Sequence, residues 1–147
     1  MPRVFVFHHR WMLAQSPQEV IRVLADVEGY PRWWPQVRSV ERLDATSGRA
    51  RIRSLIPLTL HVVLAPEVED REGGVLQVGL SGDLVGWARW TVRPHEGGAV
   101  AVFEQQARVA PRLERAATLA SVVLRANHAW MMRQGCRGLA RELTRRR

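Results

Sequence analysis

The chain contains no lysine: all 22 of its basic residues are arginine. A side-chain Schiff base and a P-loop lysine are therefore excluded. Cysteine occurs once, as Cys136, which rules out an internal disulfide and a cysteine-built metal cluster. No uncharged apolar run approaches the ~20 residues that a membrane-spanning helix needs. The opening MPRVFVFHHRWML is too short and too charged for a secretory signal, so a cytoplasmic protein is expected. There is no glycine-rich phosphate cradle, and Ser81 lacks the flanking glycines of a hydrolase elbow. Asp26 and Glu28 read as helix-end and turn residues, leaving no paired carboxylates for glycosidase chemistry. His8 and His9 are adjacent in a strand-like stretch and project to opposite sides, while His61 and His95 show no ligand spacing. No metal and no other cofactor is expected.

What is present fits one globular domain over residues 1–147, with 46% hydrophobic and 24% charged residues. The net charge is +8, but apart from the terminal Arg145–Arg147 run the arginines are scattered. That is a charged surface rather than a nucleic-acid footprint, and no basic-aromatic stripe of a single-strand binder is visible. A transient contact with an anionic membrane is compatible with the charge.

The stretch RVFVFHHRWML alternates, with Phe5, Phe7, His9, Trp11 and Leu13 on its richer face, and predicts a strand. In SPQEVIRVLADV, Ser16 suits an N-cap, Pro17 the first helical position and Glu19 a capping box. Gly29 and Pro31 are expected to stop that helix, and Trp33 and Trp34 to follow in a second short helix or turn ended by Pro35. From residue 37 to 110, alternating segments separated by ATSG, DREGG and HEGG predict antiparallel hairpins; with the first strand they make about seven strands. From Pro111 onward, Leu113, Ala117, Ala120, Leu124, His128, Met132, Gly135, Leu139 and Leu143 recur in steps of three and four. They predict one stripe of a long helix with a kink near Asn127. Helices segregated from a run of strands indicate an α+β domain in which a curved sheet wraps the last helix.

Three segments in this order, SPQEVIRVLADVEGYPRWWPQV, GDLVGWARWTV and NHAWMMRQGCRGL, resemble the START-like, or SRPBCC, superfamily, in particular its polyketide cyclase/dehydrase-like branch. The resemblance covers nearly the whole chain. It implies a helix-grip fold with a deep apolar cavity between the curved sheet and the last helix. It also implies binding of lipids, polyketides or other hydrophobic molecules, with cyclisation or dehydration in a minority of members.

Within that frame the candidate ligand-binding residues are His9, Trp11, Trp33, Trp34, Gly86, Trp90, Phe103, Gln105, Leu124, His128 and Met132. His128 sits on the apolar stripe between Leu124 and Met132. It is either a core histidine bonded to a strand or a polar contact inside the cavity, with Asn127, the only asparagine, beside it. Trp34 is expected to plug the gap between short helix and sheet, and Trp33 to lie at the rim or in solvent, because on a short helix both cannot be core; plain packing of both is the competing reading. Facing Leu84, Gly86, Ala88, Trp90 and Val92 inward puts Trp90 in the core, leaves room beside the small residues, and turns Trp87 outward toward Arg89 or Arg93. In AVAVFEQQARV either Phe103 and Gln105 face in, or Val102, Glu104 and Gln106 do, unless the strand lies at a sheet edge. The leading expectation is binding or transport of a hydrophobic small molecule, the polar groups setting its orientation. The alternative is a polyketide cyclase/dehydratase-type enzyme using His128 as acid or base.

Overall fold

The structure is a computed structural model, and it describes residues 4–53, 58–115 and 121–146. Its elements are β1 (Val4–Leu13), α1 (Pro17–Ala25), a 3-10 helix (Val27–Arg32), β2 (Val37–Arg42), β3 (Gly48–Arg53), β4 (Thr59–Asp70), β5 (Val75–Gly82), β6 (Leu84–His95), β7 (Gly98–Val109), a 3-10 turn (Pro111–Leu113) and α2 (Ser121–Arg145). The strands form one open antiparallel sheet of seven, in the order β1-β7-β6-β5-β4-β3-β2. Each strand from β2 to β6 pairs with its successor, and β1 closes the far edge against β7. This is the helix-grip α+β architecture.

Period-two patterning decides the faces. In β1, Phe5, Trp11 and Leu13 are buried while Val4, Val6 and Met12 are exposed. In β7, Phe103, Gln105 and Ala107 are buried on the inner face, whereas Glu104 pairs outside with Arg89. Arg89 also stacks over the outward Trp87, 4.7 Å from the ring centroid. Bulges interrupt β2 between Val37 and Ser39 and β4 between Pro66 and Val68. Each adds local twist and helps the sheet to curl.

The first helix begins as expected: the Ser16 hydroxyl accepts from the Glu19 amide at 3.3 Å, with Pro17 in the first turn. It ends earlier, at Ala25, and Gly29 and Pro31 lie inside the 3-10 helix instead of stopping α1. The long helix also differs from expectation at its start. Leu113 belongs to a separate 3-10 turn, and Ala117 and Ala120 fall outside the described residues. From Ser121 the helix runs through Asn127 as one element. Met132, Gly135, Leu139 and Leu143 are buried on the anticipated stripe, each large apolar side chain contributing roughly 1.5–3 kcal/mol.

Two contacts fasten the C-terminal half of α2 beneath the tryptophan segment. A methyl group at Gly138 would collide with the Trp33 carbonyl, and one at Gly135 would meet the Trp34 and Trp11 rings, so glycine permits this close approach. Beside them the buried Glu142 carboxylate accepts from Arg145 at 2.8 Å and Arg146 at 3.2 Å, with Arg32 at 3.9 Å. Burial by itself would raise its pKa, but these arginines outweigh that and hold it below the usual value.

Candidate functional site

Between the concave face of the sheet and α2 lies a cavity of about 260 Å3. Its two ends differ in chemistry. At the β3–β5 end the wall is aliphatic: Ile52 from β3, Leu60, Val62 and Leu64 from β4, and Leu76, Val78 and Leu80 from β5. These residues alternate along their strands, so one face of three neighbouring strands becomes a continuous apolar surface. At the β1–β7–β6 end the wall is aromatic, with Phe5, Phe7, Phe103 and Trp90, joined by Tyr30 and Trp34. The polar groups of the lining, Gln105, Asn127 and His128, are at this end too, next to Met131 and Met132.

Register brings the polar cluster together. Gln105 lies opposite Phe7 on one side and Ala88 on the other, which makes a row across three strands. Its Oε1 is 3.1 Å from Nε2 of His128 on α2. An amide oxygen can only accept, so His128 donates through Nε2. The imidazole stacks on Phe7, centroids 3.6 Å apart and planes 9° apart, while the Phe103 ring lies 6.2 Å away. Burial, followed by the charge of His9, pushes the His128 pKa down to about 3. Among the described residues, His128 Nδ1 and Asn127 Oδ1 are sealed without a hydrogen-bond partner.

Seven of the expected residues border the cavity: Trp34, Trp90, Phe103, Gln105, Leu124, His128 and Met132. Four do not. His9 stands on the edge strand with its ring 5.3 Å from that of His128, half-buried, and burial lowers its pKa. Trp11 is enclosed by other tryptophans, with ring centroids of Trp90, Trp34 and Trp33 at 4.7, 5.4 and 6.4 Å. Trp33 lies neither at the rim nor in solvent; it is as deeply buried as Trp34. The expectation that both could not be core assumed a helical pair. In the structure the pair follows the 3-10 helix, with Trp33 as its C-cap, and the two rings stack at 5.4 Å and 20°. Gly86 opens no room for a ligand. At φ 154° its backbone passes so close to the Gln106 carbonyl that any side chain would collide.

Sequence reasoning placed Phe5 and Phe7 on an inner face but did not carry them into the site. It missed Tyr30, Met131 and the aliphatic wall. The wall was within reach: Leu58, Leu60, Val62 and Leu64 alternate, as do Leu76, Val78 and Leu80. Tyr30 is held by a hydrogen bond from its hydroxyl to the Leu24 carbonyl at 2.7 Å, and burial raises its pKa.

Chemically the site can enclose an apolar molecule and meet one end of it with a few polar atoms. A histidine held neutral, with its one N–H committed to Gln105, is a poor proton donor near neutral pH. Among the described residues no three His, Cys, Asp or Glu side chains are grouped to hold a metal ion, and no helix is long and apolar enough to cross a membrane.

Residues 7–144 match the profile of the family described as polyketide cyclase / dehydrase and lipid transport. Among solved structures, the fold is similar to the Zhui aromatase/cyclase from Streptomyces sp. R1128, at 16% identity and TM-score 0.79 over 98% of this chain and 96% of that one. A protein from Thermus thermophilus gives 17% identity and TM-score 0.77 over 97% of each chain. Norcoclaurine synthase from Thalictrum flavum, solved with dopamine and hydroxybenzaldehyde, gives 14% and 0.66 over 96% of this chain and 88% of that one. At these identities the likeness is one of fold. No curated protein sequence matches the chain.

Proposed function

Since this chain belongs to the polyketide cyclase / dehydrase and lipid transport family, we propose that it binds and carries a hydrophobic small molecule, a lipid, polyketide or similar compound, in the cavity between the sheet and α2. The observation that carries this reading is the cavity itself, about 260 Å3 walled by apolar side chains on all but a small sector. An interior meant only for packing would be filled. About 200 Å2 of buried apolar ligand surface would supply about 5 kcal/mol before association costs are subtracted.

Carriage is preferred to cyclase/dehydratase catalysis because of His128. Catalysis would need that residue to exchange a proton near neutrality, and its burial and its bond to Gln105 oppose this. Loading at an anionic membrane belongs to the same reading, supported by the net charge of +8.

The test is a fluorescence titration with a solvatochromic hydrophobic dye, paired with native mass spectrometry of the freshly purified protein. Saturable one-site binding, displaced by the co-purified molecule and returning that molecule unchanged, is the expected result. Absence of saturable binding across dye and lipid panels would end the proposal. Conversion of the bound molecule would transfer the case to catalysis. Sedimentation with anionic liposomes at low and high salt checks the membrane step, where salt-sensitive binding is expected.

A further inference from the structure

We propose that Gln105 is the group that reads the ligand, and that it selects an apolar molecule with a hydrogen-bond acceptor, such as a ketone, ester or quinone carbonyl, at its aromatic end. The proposal rests on the cavity-binding reading above and adds a ligand class to it.

The argument starts from the Gln105 amide. The residue is 9% exposed and lies on the inner face between Phe7 and Ala88, both of which border the cavity. Its oxygen is taken by His128 Nε2 at 3.1 Å. Its nitrogen has no hydrogen-bond partner among the described residues, yet it is not sealed in the way that His128 Nδ1 and Asn127 Oδ1 are. Gln105 lines the cavity, so we assign the surface this nitrogen keeps to the cavity side. A primary amide with its oxygen occupied presents only N–H donors, so its complement is an acceptor. An alcohol can also accept, but an acceptor without a proton of its own leaves no donor unmatched in this apolar surround.

His128 is then a positioning residue. Without its N–H, either end of the amide could turn to the cavity. With it, the oxygen is held back and the NH2 faces the ligand. Stacking on Phe7 at 3.6 Å fixes the imidazole plane and hence the direction of that bond. The remaining wall is aliphatic at the far end, which places the ligand's saturated part toward β3–β5 and its carbonyl toward β7.

The test uses two probes of nearly the same shape, 2-acetylnaphthalene and 2-ethylnaphthalene, with 2-naphthol as a donor control. In the wild-type protein the carbonyl stretch of bound 2-acetylnaphthalene should fall below its frequency in hexane, the signature of an accepted hydrogen bond. Gln105→Leu should weaken the ketone about tenfold relative to 2-ethylnaphthalene and return the band to its hexane position. His128→Phe, which keeps the ring on Phe7, should broaden the band toward the unbonded frequency and cost the ketone more affinity than the hydrocarbon. Gln105→Met serves if the leucine variant does not fold, and the wild-type band needs no variant. A band at the hexane frequency, or a Gln105 substitution that weakens 2-naphthol and spares the ketone, overturns this inference and leaves the carrier reading intact. Failure of both naphthalenes to bind, together with no saturable binding across the dye and lipid panels, overturns the carrier reading and this inference with it; failure of the naphthalenes alone overturns this inference.

Discussion

The imidazole of His128 lies parallel to the ring of Phe7, centroids 3.6 Å apart, and joins the long helix to the edge strand across the polar end of the cavity. The same residue is neutral and bonded to Gln105, so its environment carries a stability consequence as well as a functional one.

Stability should fall with acid before the carboxylates titrate. The His128 pKa is about 3 when folded, against an ordinary value of 6.5. The unfolded chain therefore takes up the proton first. The contribution is fully present above pH 6.5 and is lost progressively as pH falls toward 3. Denaturant unfolding should show a loss of about 2–3 kcal/mol between about pH 7 and about pH 4.5. His128→Phe should flatten most of that slope, leaving a smaller part from His9, whose pKa is also lowered.

Filling the cavity should separate binding from folding. Val78 borders the aliphatic end, and Val78→Phe would extend a ring into open volume. Dye affinity is expected to drop at least about tenfold while unfolding free energy changes by less than about 1 kcal/mol. Equal losses in both would mean that the space is already occupied by protein.

Gly138 should tolerate no side chain. Gly138→Ala would push against the Trp33 carbonyl, a backbone atom that cannot rotate away. A destabilisation of about 2 kcal/mol is expected in urea unfolding, with tryptophan emission shifting to the red as the Trp33–Trp34 stack loosens.

Asp83 should behave as a structural anchor. Its carboxylate, buried at the β5–β6 turn, accepts from the His61 amide at 2.9 Å and pairs with Arg112, while its carbonyl accepts from the Ala110 amide at 2.9 Å. Burial by itself would raise its pKa, but these donors outweigh that and lower it. Asp83→Ala is expected to cost about 1–3 kcal/mol, measured by thermal unfolding, because the His61 amide loses its acceptor.

The class of the fold, the seven strands and the inward stripe from Met132 to Leu143 were legible because they are written in local periods, two for a strand and 3.6 for a helix. The same periods offered Phe103 and Gln105 as one inward set and left Val102 and Glu104 as the other, and could not choose. Pairing chose: Arg89 on the outer face of β6 meets Glu104, which commits Gln105 to the interior. For Trp33 and Trp34, the assumption of a helical pair put Trp33 at the rim or in solvent, but the pair follows the 3-10 helix and both rings stack in the core. Gly86 looked like vacant space in one dimension and is a backbone contact in three.

Composition and periodicity alone thus determined a single α+β chain whose sheet has one greasy face and whose last helix has one greasy stripe, since apolar surface must leave water whatever the topology. Only the tertiary structure decided that these two surfaces stand apart over one region and touch over another. It also decided that His128, 23 positions from Gln105 in sequence, should meet it at 3.1 Å. Strand register and the approach of a helix are long-range quantities, set by which side chains can interlock, and no local pattern contains them.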